Sequence, residues 1–82
     1  MKGFTYVYLL TSETDATHRY TGSTEDLDTR LKSHNQGNNA HTFKFRPWKI
    51  ETAIAFRSRE KAAVFEKYLK SHSGRTFASK HF

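Results

Sequence analysis

The stretch "YVYLLTSETDATHRYTG", Tyr6 to Gly22, decides the fold. Thr5 to Leu10 is rich in β-branched, aliphatic and aromatic residues and predicts a strand. "TSETDATH" has no apolar periodicity and reads as a polar loop. Arg19 to Ser23, "RYTGS", is short and again carries tyrosine, so it predicts the hairpin partner of the first strand. Gly22 inside a strand pattern marks a bulge or a close backbone approach. Tyr8 and Tyr20 then stand on neighbouring strands. Buried tyrosines pack well but seek a partner for the hydroxyl, so the pair suits either a sheet core or a site.

Working outward, Ser23 and Thr24 are good N-caps, with Glu25 and Asp26 placed for a first turn. They predict a helix from Glu25 to about His34, with Leu27 and Leu31 as its apolar stripe. Asn35 and Gly37 end it. "QGNNAHTFKFR" reads as a polar, mobile loop without a core signal. After Pro47, Trp48, Ile50, Thr52, Ile54 and Phe56 alternate with Lys49, Glu51, Ala53 and Ala55, which predicts a third strand with one inward face. Ser58 caps a second helix, about Arg59 to Ser71, whose stripe is Ala62, Phe65 and Leu69. Gly74 punctuates, and "RTFASKHF" allows a short last helix. The expectation is one α+β domain over residues 1–82. Its order is β-β-α-β-α-α, a small, mainly antiparallel three-stranded sheet flanked by helices.

The chain of 82 residues has no cysteine, which excludes disulfides, thiolate zinc sites and a cysteine nucleophile. No apolar run approaches the roughly 20 residues of a membrane span. The N-terminus lacks the features of a signal peptide. A cytoplasmic location without a membrane partner is expected. Fourteen Lys and Arg against eight Asp and Glu give a net charge of +6. Between Arg57 and Lys80 seven basic residues face only Glu60 and Glu66, a net +5. That concentration favours a polyanion as partner.

Arg30 and His34 are four apart and share a helix face. Arg suits phosphate oxygens and His carries protons near neutrality; a solvated basic face near a helix C-terminus has the same spacing. Glu66 projects beside the apolar stripe of its helix. A carboxylate there needs an ion pair, hydrogen bonds or a metal. "FKFRPWK" interleaves Phe43, Phe45 and Trp48 with Lys44, Arg46 and Lys49, a pattern that holds phosphates and stacks on bases, although Trp48 itself reads as core. His18, His41, His72 and His81 lack zinc spacing. Two tyrosines, an arginine, a histidine and a glutamate together meet the needs of phosphodiester hydrolysis: a positioned water, a proton acceptor, positive charge at phosphate and stabilisation of the leaving oxygen.

In order, these residues resemble the GIY-YIG nuclease family. Tyr6–Val7–Tyr8 looks like the first signature, with Tyr6 where glycine is usual. Tyr20–Thr21–Gly22 looks like the second, with Thr21 in place of an apolar residue. "LDTRLKSHN" resembles the helix with the Arg, and "FEKYLKS" the helix with the metal-binding Glu. The resemblance spans essentially the whole chain, and the end of the chain is similar to short stand-alone bacterial members. It implies that Tyr8 is a general base that positions water, that Tyr20 lies near the nucleophile, and that Arg30 neutralises the scissile phosphate. It further implies that His34 holds or exchanges a proton, that Glu66 binds one divalent ion, Mg²⁺ or Mn²⁺, and that Gly22 permits close packing at the site. Lys44, Arg46, Lys49, Lys67, Lys70 and Arg75 are the expected nucleic-acid contacts. DNA is the expected partner in preference to RNA, in a setting such as repair or recombination. Many members also use an Asn late in the domain; none follows Asn39 here, so that role is unfilled or passes to Ser73 or Arg75. A non-catalytic nucleic-acid-binding module on the same scaffold is the alternative, and a small protein-binding domain the third reading.

Overall fold

A computed structural model describes residues 3–82. In order, the elements are β1 (Thr5–Ser12), β2 (Arg19–Thr24), α1 (Leu27–Asn35), a 3₁₀ turn (Phe43–Phe45), β3 (Trp48–Phe56), α2 (Arg59–Lys70) and α3 (His72–His81). The three strands form one fully antiparallel sheet in the order β2-β1-β3. β1 is the centre and is buried from Val7 to Ser12, because helices cover both its faces.

Alternation along β1 divides the interior into two cores. Val7 and Leu9 pack with Ala62, Leu69 and Ala78 of α2 and α3, edged by Phe56, Phe65, Phe77 and Phe82. Tyr8 and Leu10 pack with Trp48, edged by Tyr20, Leu27, Leu31, Phe45 and Ile50. The leucine stripe of α1 and the Ala62/Phe65/Leu69 stripe of α2 therefore serve opposite faces of the sheet.

Four expectations need correction. First, β3 does not present one inward face. Leu9 pairs with Thr52 but Leu10 with Ile50, so Glu51 is an extra residue in a bulge. The bulge sends Trp48 and Ile50 to the core of Tyr8, and Phe56 to the core of Val7. Second, α1 starts at Leu27 with Asp26 as N-cap, accepting from the Thr29 amide. Ser23 and Thr24 are taken up by β2, and the Thr24 hydroxyl accepts from the Asp26 amide.

Third, the segment after α1 is not without a core. Thr42 is fully buried, and its carbonyl accepts from the Trp48 indole at 2.8 Å. Asn35 clamps the Trp48 backbone through both its amide oxygen and nitrogen. Fourth, the break between the last two helices falls at Ser71 rather than Gly74. Ser71 donates to the Tyr68 carbonyl and accepts from the Gly74 amide. Gly74 lies inside α3, where a Cβ would collide with the Tyr68 carbonyl.

Candidate active site

The hairpin register explains the two tyrosines. Tyr8 pairs with Gly22 and Leu10 with Tyr20, so Tyr8 and Tyr20 lie diagonally on one face. Gly22 opposite Tyr8 lets the phenol lie across the strand: a Cβ on Gly22 would meet the Tyr8 hydroxyl at 2.5 Å and the Tyr20 ring at 3.1 Å. The ring centroids of Tyr8 and Tyr20 are 6.4 Å apart. α1 lays His34 over both, with centroids 6.1 Å from Tyr8 and 5.0 Å from Tyr20.

The Tyr8 hydroxyl and His34 Nε2 share a hydrogen bond of 3.0 Å. His34 Nδ1 lies 2.8 Å from the Thr42 hydroxyl. That hydroxyl can turn its own proton toward the Asn39 carbonyl, 3.4 Å away, which frees it to accept from Nδ1–H. In that tautomer Nε2 is the acceptor of the Tyr8 proton. Thr42 is the residue that sequence reasoning missed. It sits in a polar stretch, and its place depends on Trp48 and His34, which lie outside that stretch.

The electrostatics order these groups. Burial, followed by the Tyr20 hydroxyl, pushes Tyr8 up from 10.0 to about 12 against the pull of Arg30. Burial and then the Arg30 charge hold His34 below the ordinary 6.5. Neutral imidazole facing neutral phenol is therefore the resting state. Tyr8 and His34 are each only 1 % exposed, whereas Tyr20 is half-buried and Arg30 exposed. Tyr20 and Arg30 form the outer layer, and Tyr8 with His34 the layer behind it.

Glu66 comes from α2, on the other side of the sheet. It reaches β2, the edge strand, where Oε1 accepts from the Ser23 hydroxyl at 2.7 Å and Oε2 from Lys70 Nζ at 2.8 Å. Burial raises its carboxyl, but the hydrogen bonds from Lys70 and Ser23 and the Lys70 charge prevail and hold it below the ordinary 4.5. The Glu66 charge still acts on Tyr8. Among the described residues no three His, Cys, Asp or Glu side chains gather at one point. A lone, largely buried carboxylate such as Glu66 is too few ligands for a zinc centre, whereas Mg²⁺, which keeps its waters and takes phosphate oxygens, can be held by one.

The basic residues divide. Lys70 and Arg75 line a groove of about 560 Å³ together with Arg19, Tyr20 and Ser79. Arg30 and Ser23 line a second groove of about 630 Å³ with Glu25, Asp26 and Arg59. Lys67 is exposed on α2 beside Glu66. Lys44 and Arg46 lie outside both grooves, and the Arg46 guanidinium covers the Phe43 ring at 4.3 Å. Phe45 stacks on His18 and Trp48 is core, so the aromatics of "FKFRPWK" do not form one open platform. Arg75 on α3 shares a groove with Tyr20, as one of the two residues considered for the late Asn role.

An antiparallel hairpin thus carries two tyrosines at this register, between a helix bearing Arg and His and a helix bearing Glu. The chain matches the GIY-YIG catalytic domain over residues 4–80 and belongs to that family. Among solved structures, it is similar to the UPF0213 protein BH0048 from Bacillus halodurans, determined by solution NMR. The identity is 31 % and the TM-score 0.56, over 94 % of this chain and 83 % of that one. No curated protein sequence matches it. Among the described residues, no helix is long and apolar enough to cross a membrane.

Proposed function

We propose that this protein is a metal-dependent endonuclease that hydrolyses phosphodiester bonds of nucleic acid, DNA in preference to RNA, in the cytoplasm and in a repair or recombination setting. The observation that carries the reading is the meeting of two layers around edge strand β2. Tyr8, Tyr20, Arg30 and His34 approach from one side of the sheet, and Glu66 rounds the edge from the other to bond Ser23. A plain nucleic-acid binder has use for the arginine but none for a carboxylate beside a phosphate.

In this reading Arg30 and Tyr20, the outer layer, meet the scissile phosphate. Arg30 neutralises the charge that grows on the non-bridging oxygens. The attacking water gives its proton to the Tyr8 oxygen while the phenol proton moves to His34 Nε2. The phenol thus never stands as a free phenolate, as its pKa of about 12 requires. His34 holds the proton as imidazolium. Burial and Arg30 disfavour that form, so the imidazole returns the proton to Tyr8 along their hydrogen bond as the phenol releases one to water in the emptied site. Glu66, released from Lys70, would hold the divalent ion. Mg²⁺ or Mn²⁺ there supplies Lewis-acid stabilisation of the departing 3′ oxygen.

The test is cleavage of supercoiled plasmid and of a branched DNA with Mg²⁺ or Mn²⁺, beside EDTA and Glu66→Ala. Metal-dependent nicking that disappears in Glu66→Ala is expected. Intact binding with no cutting of either substrate would replace this reading by that of a binding module.

A further inference from the structure

The two grooves that adjoin the site are electrostatically unequal. The groove along β2 and α3 carries Arg19 and Arg75, neither paired with an Asp or Glu among the described residues. It also carries Lys70, which is paired with Glu66 at the groove's edge and is freed when Glu66 turns to a metal; no carboxylate stands in the lining. Thr21 and Ser79 add hydroxyls to its lining, whereas the Thr17 hydroxyl donates to Asp15. The groove at the other end of β2 has Arg30 and Arg59 but also Glu25 and Asp26. There Arg59 is spent on Glu25 at 2.5 Å, and Asp26 caps α1. Only Arg30, already part of the site, remains to attract an anion.

The sheet ladder extends the basic side. Thr11 of β1 pairs with Arg19 of β2 on one side and with Lys49 of β3 on the other. Directly paired residues share a face, and adjacent strands lie about 4.8 Å apart. Arg19 and Lys49 therefore stand about 10 Å apart in one row, on the face that α2 and α3 pack against. The Glu51 bulge makes this possible: without the one-residue shift, Lys49 would point to the α1 face. Tyr20 and Lys70 belong both to the groove and to the site, so the two are continuous.

The geometry points to a one-sided footprint, in which the β2–α3 groove, with Arg19, Lys70 and Arg75 extended by Lys49, holds the sugar-phosphate backbone of the nucleotides flanking the scissile bond on one side only. The inference rests on the nuclease reading and sharpens it. The groove offers cations and hydroxyls, which position a backbone without reading sequence. The opposite groove contributes nothing beyond Arg30.

The experiment measures anisotropy of a fluorescein-labelled branched oligonucleotide in EDTA, so that binding is read without cleavage, over a series of KCl concentrations. Arg19→Ala/Arg75→Ala is compared with the charge-matched Arg59→Ala/Lys61→Ala, and Lys49→Gln is measured alone. All five side chains are exposed, and circular dichroism checks each fold. The first variant is expected to weaken binding about tenfold and to flatten the log K against log salt slope by about 2, one for each lost phosphate contact. Lys49→Gln should flatten it by about 1, and the Arg59/Lys61 variant should leave it unchanged. Equal losses from both double variants would overturn the one-sided footprint, since bulk charge alone would then account for binding. Plasmid nicking separates the two readings. Wild type that nicks while the Arg19/Arg75 variant binds like wild type ends the groove and spares the nuclease. Wild type that neither binds nor nicks ends both.

Discussion

The two faces of the sheet are built from alternate residues of one strand, yet they are different kinds of interior. Against α2 and α3 lie Val7, Leu9, Ala62, Leu69 and Ala78, a core of side chains with no polar atom, ringed by phenylalanines. Against α1 lie Tyr8, His34 and Thr42, all nearly fully buried and tied to one another by hydrogen bonds. The first face gains free energy simply by leaving water. The second gains little from burying polar groups, and each of its members depends on a partner's staying in place. In a domain this small, where total stability is marginal, the first face, with Leu10 and Trp48 on the second, supplies the stability that allows the Tyr8–His34–Thr42 cluster to be polar. Substitutions on the two faces should therefore separate stability from chemistry.

The largest effect is expected on the apolar face. Gly74→Ala puts a methyl group into the Tyr68 carbonyl, a backbone group that cannot swing aside. α3 must then move off α2 and carry Ala78 out of the core. We expect a loss of about 3 kcal/mol or more, the scale of a large core defect, seen as a lower urea midpoint. Cleavage per folded molecule at saturating DNA should stay within a few-fold of wild type, while binding weakens because Arg75 moves with α3. A large rate loss at full folding would mean that the faces are coupled more tightly than their packing indicates.

Tyr8→Phe is the counterpart on the polar face. It removes one oxygen and leaves His34 Nε2 buried without its partner. The expected stability cost is about 1–2 kcal/mol. The expected fall in cleavage rate is about 100-fold, the scale of a lost proton-transfer group. Oligonucleotide binding in EDTA should be unchanged, because Tyr20 and Arg30 still form the outer layer. Unchanged cleavage would remove Tyr8 from the proton path.

How much of this was legible in the sequence follows from the range of each signal. The three strands and the cap at Ser58 were, because alternation and capping are local. The Leu27/Leu31 and Ala62/Phe65/Leu69 stripes were too. The Glu51 bulge was not, since the inward-outward pattern of β3 looks the same on either side of it. The start of α1 was misplaced because Ser23, Thr24 and Asp26 are all good caps, and only strand pairing decides among them. For the site, helical spacing brought Arg30 and His34 together and the resemblance supplied their tyrosine neighbours. No local signal tells that Ser23 and Lys70 hold Glu66, or that Thr42 leaves a polar loop to bond His34.

Thr42 gives the next way to sharpen the comparison. Thr42→Val keeps the shape and removes the acceptor at His34 Nδ1. The imidazole then loses the bond that fixes its tautomer. Long-range ¹⁵N–¹H correlation spectra should show wild-type His34 protonated on Nδ1 and the variant shifted toward Nε2–H or a mixture. Cleavage should fall about tenfold, and Thr42→Ser should restore both. An unchanged tautomer in Thr42→Val would show that Tyr8 alone orients the ring.

The smallest effect is the dependence of stability on pH, and it too belongs to one face. The apolar core contains nothing that titrates. On the polar face, burial and Arg30 hold native His34 below 6.5, so near and below that pH the unfolded chain binds more protons than the native one. The contribution of His34 is then complete above about 6.5 and is lost as pH falls toward the lowered native value. Tyr8 has the opposite sign. Raised to about 12 from 10.0, it contributes fully below pH 10 and loses that contribution as pH rises through 12. Melting temperatures of wild type measured downward from pH 7 should therefore decline before any carboxylate is protonated. In His34→Gln, whose baseline is lower, the same interval should be flatter. A decline of equal steepness in both would place the titrating group outside the Tyr8–His34–Thr42 cluster, and the cluster would then be a neutral scaffold in which the imidazole never feels the solvent proton.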